Sequence, residues 1–403
     1  MKMQNNVVNQ VVTKKIPTFE FIIIIAINFS AIAFSIDAIL PALPEISAVM
    51  SPTSPNKTQL VISSFVIGMG IATLFTGPLS DSFGRKKIIL LGGLIYITGA
   101  LIASYSKTLE IMLLGRFIQG IGVAGPRVVA LAIVRDLYEG RRMAQIVSIA
   151  MIVFTLVPAV APMIGALIVS NFGWRSIFVA FIVFSIVSIG WLLIRQEETL
   201  KRELRVKFTF LNLINSIKEC FSNKIFLTST FLQAFTFGLL FSSISTIQQI
   251  FDTTYNKSDS FPEWFALIAL ISGSASFANS FFVVKVGMRK LIQIGFLIGI
   301  IFSLFLIIFS LLKSIPFPLY FMWQSSVFFM IGLMIGNLNA LAMQPMGHIA
   351  GLAASIIGSM STIIGVMLAI PIGLSFNGTP TPLILGSFIL SFLGMLLARK
   401  SLN

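Results

Sequence analysis

The stretch Gly77-Pro78-Leu79-Ser80-Asp81-Ser82-Phe83-Gly84-Arg85-Lys86-Lys87 joins two apolar blocks, near residues 58–79 and 87–106. Each block has roughly the twenty residues needed to cross ~30 Å of hydrocarbon. Backbone polar groups in lipid must be satisfied within the segment, so both blocks read as helices. Gly77 and Pro78 let a helix end approach its neighbour closely, and Gly84 permits a tight turn. Asp81 has Arg85 within reach, or a nearby helix N-terminus, either of which would latch this face in one state.

The same pattern runs along the chain in both directions. Apolar blocks separated by polar or Pro/Gly breaks predict helices near 19–43, 58–79, 87–106, 110–134, 143–169 and 174–194, then 225–250, 263–284, 289–312, 319–343, 350–373 and 382–398. The fold class is therefore an all-α membrane protein of twelve spans. Across 403 residues only 10% are charged and 56% are hydrophobic, against about 25% charged in soluble domains. A membrane β-barrel would need alternating strands of about ten residues, and nothing here alternates.

Charge sets the expected orientation. An even number of spans puts both termini on one side, and 21 of the 28 Lys and Arg residues fall there. The opposite loops hold only Lys57, Lys107, Arg175, Lys257 and Lys313, while Arg116 and Arg127 lie inside the fourth span. Positive-inside bias assigns the basic side to the cytoplasm. The formal charge of +14 is thus a topology signal, and no nucleic-acid partner is expected. The polar residues before Pro17 and the long apolar run after it do not read as a cleaved signal peptide. A single cysteine, Cys220, and a single histidine, His348, exclude an internal disulfide framework and a His-rich metal site. No cofactor or metal is expected.

Residues 195–224 form the one long polar segment between spans, beginning Arg195-Gln196-Glu197-Glu198-Thr199-Leu200. The expected organisation is a cytoplasmic tail (1–18), a six-helix half (19–194), a cytoplasmic linker (195–224), a second six-helix half (225–399) and a short tail (400–403). The start of the linker has no apolar face to bury. Its later part, 208–221, has apolar residues at helical spacing and is expected along the membrane surface. Gly287-Met288-Arg289-Lys290 follows the eighth helix as Gly84-Arg85-Lys86-Lys87 follows the second. Corresponding loops suggest parallel repeats about an axis along the membrane normal, with a central site between the halves.

The Gly77–Lys87 stretch resembles the signature between helices two and three of the major facilitator superfamily. Ser35-Ile36-Asp37-Ala38-Ile39-Leu40-Pro41-Ala42-Leu43-Pro44 is similar to the end of helix one in its Bcr/CflA drug-resistance branch. Arg116-Phe117-Ile118-Gln119-Gly120-Ile121-Gly122 resembles the helix-four motif of proton-coupled members, and Arg135-Asp136-Leu137-Tyr138 its cytoplasmic end. Pro158-Ala159-Val160-Ala161-Pro162-Met163-Ile164-Gly165-Ala166 resembles the helix-five antiporter motif, although Ala161 and Ala166 stand where glycines are usual. Met346-Gly347-His348-Ile349-Ala350-Gly351 is similar to the start of helix eleven. The second-half copy of the loop lacks an acidic residue near Val284, which weakens a symmetrical latch. The resemblance implies two pseudo-symmetric halves and a multidrug-efflux antiporter of a bacterial inner membrane. It also implies a cytoplasmic gate of Gly77, Asp81, Gly84, Arg85, Arg135 and Asp136, and an antiporter motif carried by Pro158, Pro162 and Gly165.

Asp37 is the one acidic residue of fourteen that falls well within an apolar span. A charge at mid-bilayer costs ~2.5–3.5 kcal/mol on the lenient insertion scale, so it should face a cavity or a partner. It reads as a proton carrier, or else as a structural ion pair or helix-end carboxylate. Burial favours its neutral form and a nearby cation its charged form, so a conformational change would load and release a proton. Arg116 is the natural partner, because the two sit ~12 and ~9 Å below the outer surface at ~1.5 Å per residue.

Arg127 lies about 20° from Arg116 around helix four. It either snorkels or bonds carbonyls, or lines the pathway, where two cations against one acid would favour anionic or zwitterionic cargo. Asn28, Gln119, Gln233 and Asn337 are further candidates for lining the substrate route. Interhelical hydrogen bonding is the commoner use of such residues.

An integral-membrane enzyme would need a nucleophile–base or metal constellation, which one histidine, one cysteine and one deep carboxylate do not supply. A non-transporting scaffold would have no use for a buried Asp and Arg. No GxxxxGK[ST] run occurs, so ATP is not the expected energy source. The expected partners are the lipid bilayer, a small-molecule substrate and protons, and the expected state is a monomer. The leading reading is drug or metabolite export by proton antiport with alternating access. An exporter or importer of a specific metabolite, an amino acid or a siderophore, is the runner-up.

Overall fold

The computed structural model describes residues 16–402 and forms helices along nearly all of that length. Residues 1–15, with Lys2, Lys14 and Lys15 of the expected tail, lie outside the described residues, as does Asn403. The first half contains α1 (Thr18–Asp37), the short α2 (Leu43–Met50), α3 (Leu60–Phe83), α4 (Arg85–Ser104), α5 (Leu109–Leu137), α6 (Gly140–Phe172) and α7 (Ser176–Arg195). A linker helix, α8 (Phe210–Ser222), precedes α9 (Lys224–Gln249), α10 (Phe261–Val286), α11 (Met288–Leu312), α12 (Phe317–Met343), α13 (Ala350–Leu374) and α14 (Thr381–Leu402). Eleven stretches are long and apolar enough to cross a membrane, and one of them, Phe317–Leu374, comprises two helices. These separate at Met346, whose φ of −112° and ψ of 24° break the ladder. The chain is thus an all-α membrane protein of twelve spans.

The spans pack with internal symmetry. α4 lies against α5 as α11 lies against α12, α1 against α6 as α9 against α13, and α4 against α7 as α11 against α14. Between halves, α3 packs on α13 and α6 on α10, a pair of contacts that the same relation exchanges. Gly84 and Gly287 adopt φ of +99° and +87° in equivalent turns, a region closed to residues with a Cβ. Gly165 makes one of the closest helix approaches, as Gly120 and Gly68 do between α3 and α5, since a methyl group there would overlap the carbonyl oxygen of Ala38.

Several ends differ from the sequence expectation. The first span is one helix only to Asp37, then a 3₁₀ turn (Leu40–Ala42) and α2. Pro41 is the cause: it has no N–H to give the Asp37 carbonyl four residues earlier, and its ring crowds that turn. α3 continues four residues past 79 with Pro78 inside it, so Asp81 belongs to its last turn. α14 runs through 400–402, which therefore form no separate tail.

Candidate functional site

Asp37 and Arg116 are both buried, at 4% and 0% exposure, and both belong to the packed first half. They do not pair. Arg116 donates from Nη2 to the Ser35 carbonyl (3.0 Å), from Nε to the Val61 carbonyl (3.2 Å) and from Nη1 to Gln119 Oε1 (2.7 Å). Its guanidinium also stacks over Phe65, 4.3 Å from the ring centre. Helix ends decide this outcome. Because α1 stops at Asp37, the Ser35 carbonyl is one of its last four and needs an outside donor. Arg116 thus ties α1, α3 and α5 together through neutral acceptors. Asp37 has no hydrogen bond or ion pair among the described residues, so the expected ion pair with Arg116 is corrected.

The antiporter stretch lies beside this end of α1. Pro158 and Pro162 are inside an uninterrupted α6, and Gly165 brings that helix onto the Ala38 carbonyl, one residue past Asp37. Ala161 is buried at 1%, so an alanine is accommodated there without opening the contact.

At the basic face, Arg85 is 6% exposed and bonded on every side. Its Nη1 donates to Asp81 Oδ1 (2.5 Å) and Ser80 Oγ (2.7 Å). Its Nε and Nη2 grip Asp136 at 2.9 and 3.2 Å, a two-pronged pair from α4 to the end of α5. Gly77 lines the adjacent cavity, as does Arg135. The linker completes the cluster. Thr199 donates to Asp136 Oδ2 (2.6 Å), and Glu198 accepts the backbone N–H groups of Arg85 (2.9 Å) and Lys86 (3.1 Å). Ser82 donates to the Val206 carbonyl (2.6 Å), and the Val206 N–H donates to the Asp81 carbonyl (3.3 Å). The segment read as a linker with no apolar face to bury is therefore bound by charge rather than by apolar area. A signal for this was available: α4 opens on Arg85-Lys86-Lys87, three cations at the positive end of a helix dipole, which calls for an anion from elsewhere.

The later linker docks too. Leu213 and Cys220 of α8 are buried, and Cys220, Phe226, Met346 and Ala353 form one apolar cluster. α8 thus packs on the second half rather than only on a membrane surface. Burial, with a smaller contribution from the Glu219 carboxylate, pushes the Cys220 thiol up to about 11. His348 Nε2 shares a 2.5 Å hydrogen bond with Glu219 Oε1.

A cavity of about 600 Å³ lies between the halves and reaches the basic face. Phe29, Met69, Thr73 and Arg127 line it from the first half, and Gln233, Phe237, Asn339 and Thr362 from the second. The opposite face is closed by hydrogen bonds across the halves. Asn56 donates to the carbonyls of Leu374 (3.0 Å) and Phe376 (2.8 Å), Gln249 donates to Asn56 (2.9 Å), and Gln59 donates to Gln249 (2.6 Å).

A search of family models matches residues 23–370 to the Major Facilitator Superfamily. The chain belongs to that superfamily. It is 31% identical over 355 residues to the bicyclomycin resistance protein homolog of Haemophilus influenzae, covering 87% of this chain and 88% of the relative. It is 30% identical over 261 residues to multidrug resistance protein MdtL of Shewanella oneidensis, 64% of each chain. Among solved structures it superposes on a D-xylose–proton symporter with a TM-score of 0.75 at 14% identity, over 95% of this chain and 97% of that one. This facilitator is a secondary transporter of small molecules embedded in lipid, and not an enzyme.

Of the expected lining residues, Arg127 and Gln233 face the cavity and three do not. Asn28 donates to the carbonyls of Ile24 and Ser188, buried between α1 and α7. Gln119 serves Arg116. Asn337 donates to Asn279 and to the Leu333 carbonyl, joining α12 to α10. Asn28 and Asn337 each bond a neighbouring helix, the commoner use of such residues in membranes, whereas Gln119 acts within α5. Thr73, Asn339 and Thr362 do reach the cavity, and only the packing of the two halves singles them out.

Proposed function

We propose that this facilitator belongs to the Bcr/CflA branch and exports drugs or small metabolites by proton antiport, as a monomer with both termini in the cytoplasm. The excess of Lys and Arg in the loops of one face supports that orientation. The basic face is then cytoplasmic, and the cavity open to it is the inward-facing state. The names of the two relatives, a bicyclomycin resistance homolog and a multidrug resistance protein, support efflux as the direction.

One observation carries the coupling: Asp37 is a carboxyl group at membrane depth, 4% exposed and without a counter-ion among the described residues. Binding a proton removes the cost of holding its charge there. In the inward-facing state substrate enters the cavity and the Asp37 proton leaves to the cytoplasm. Rocking of the halves then breaks the Asn56–Gln249 seal, and Asp37 is reloaded from outside as substrate departs. The gate of Gly77, Asp81, Gly84, Arg85, Arg135 and Asp136 closes the cytoplasmic side in that state, with the two six-helix halves moving as units. The electrical part of the gradient supplies about 2.3 kcal/mol per elementary charge per 100 mV.

Everted vesicles with an imposed pH gradient test this, screened with amphenicols, bicyclomycin-like compounds, sulfonamides, amino acids and siderophores. Wild type is expected to show substrate-linked proton movement, and Asp37→Asn none. Full gradient-driven transport by Asp37→Asn would remove the residue from the mechanism.

A further inference from the structure

Two arginines on α5 differ in what they touch. Arg116 uses its donors inside the bundle. Arg127, eleven residues on and ~16 Å further along the helix, is exposed to the cavity and has no hydrogen bond, ion pair or ring contact among the described residues. Its side chain enters the space between the halves, so it does not snorkel along the lipid face.

The acids of the cavity cannot serve it. Asp81 and Asp136 are the carboxylates in its lining, and Arg85 holds both. Asp136 lies nine residues beyond Arg127 on α5, ~13 Å away along the axis. Arg135 and Lys207 add further positive charge near the mouth. The cavity therefore carries an excess of positive charge, and its inner part holds a guanidinium without an anion.

A second group points to a ligand. Gln233 of α9 lines the same cavity from the other half and is 2% exposed, yet its Oε1 has no hydrogen-bond partner among the described residues. A buried acceptor left unpaired is costly, and a bound molecule that offers it an N–H or O–H from its body recovers that cost. Around both groups the wall is apolar, with Phe29, Met69 and Phe237.

We infer that Arg127 anchors the substrate of this transporter and that the substrate class is small amphipathic anions, a carboxylate or similar oxyanion on an apolar body. This deepens the export reading above by naming the cargo of its cavity. A neutral or cationic molecule filling the space would strip water from Arg127 and return no charge. A carboxylate matches the planar fork of a guanidinium with two parallel hydrogen bonds. Exporting a monovalent anion for one proton moves two charges per cycle, whereas exporting a monovalent cation moves none.

The test is binding to the full chain in lipid nanodiscs, with no proton gradient. Fluorescein anisotropy reports the anion, salicylate competes as a smaller carboxylate, and ethidium serves as the cationic comparison. Wild type is expected to bind fluorescein with displacement by salicylate. Arg127→Gln is expected to weaken that binding by about 10- to 100-fold, the loss of a hydrogen bond to a charged group, and Arg127→Lys by less. Ethidium binding should hold or strengthen in Arg127→Gln. Equal fluorescein binding by wild type and Arg127→Gln overturns the proposal, as does wild-type binding of ethidium alone. Fluorescein bound through Arg127 but exported without proton movement leaves the site standing and sinks the antiport reading. Proton-linked export of ethidium with no fluorescein binding does the reverse.

Discussion

Arg85 and Arg116 are both buried arginines, at 6% and 0% exposure, and they are satisfied by opposite kinds of partner. Arg85 sits between two carboxylates at the basic face, with linker residues closing around it. Arg116 sits at membrane depth on two carbonyls and an amide. A charge held by other charges belongs to a network whose members can exchange partners as the halves move. A charge held by neutral acceptors stays where it is, and the acid nearby is released from pairing with it. The first arrangement suits a gate. The second suits a fixed wall, which the proposed role of Asp37 as proton carrier requires.

The largest effect expected from breaking this contrast is at the membrane-depth arginine. Arg116→Ala leaves the Ser35 and Val61 carbonyls and the Gln119 amide without their donor, at about 1–3 kcal/mol for each buried group left unpaired. Detergent-unfolding curves should show a loss of about 3 kcal/mol or more. Arg116→Lys should recover only part of this, because one ammonium cannot match three acceptors in a planar fork. A smaller loss, about 1–2 kcal/mol, is expected for Arg85→Gln, whose acidic partners can turn to water at the face.

Double-mutant cycles sharpen the comparison directly. Asp37→Asn combined with Arg116→Ala should be additive within about 0.5 kcal/mol, as for residues that share no contact. Arg85→Gln with Asp136→Asn should not be. Strong coupling of the first pair would restore the ion pair that the geometry lacks. Glu198→Gln is the next smaller effect, about 0.5–1 kcal/mol, since it weakens an anion on the N-terminus of α4. Its measurable sign is faster proteolysis within 196–209.

The smallest effect is at Cys220. With its thiol pushed up to about 11, almost no thiolate forms at pH 7–8, and maleimide should label it only after unfolding. The sign follows from the thiolate being the reactive form: labelling rises as pH approaches that value. Rapid labelling of the folded protein near neutral pH would mean that α8 is undocked.

The sequence alone determined the twelve spans and the six-and-six division, because twenty apolar residues in lipid have no stable alternative to a helix. It also pointed to the Asp81–Arg85 contact, which is local across one turn. The end of α1 was missed by the expected span of 19–43, although its signal was local: Pro41 forbids the bond that the Asp37 carbonyl would need. Which partner each deep residue takes was not readable. Depth placed Asp37 and Arg116 at similar levels, but depth says nothing about which way a side chain turns or which carbonyl a helix end leaves open. That choice was made by α1 ending against α6 and α5, and it gave Arg116 to the backbone and left Asp37 alone. The cavity was likewise a property of the two halves together. Arg127 and Thr73 meet Gln233 across it only because α3 packs on α13 and α6 on α10, contacts between segments far apart in the chain that no local pattern encodes.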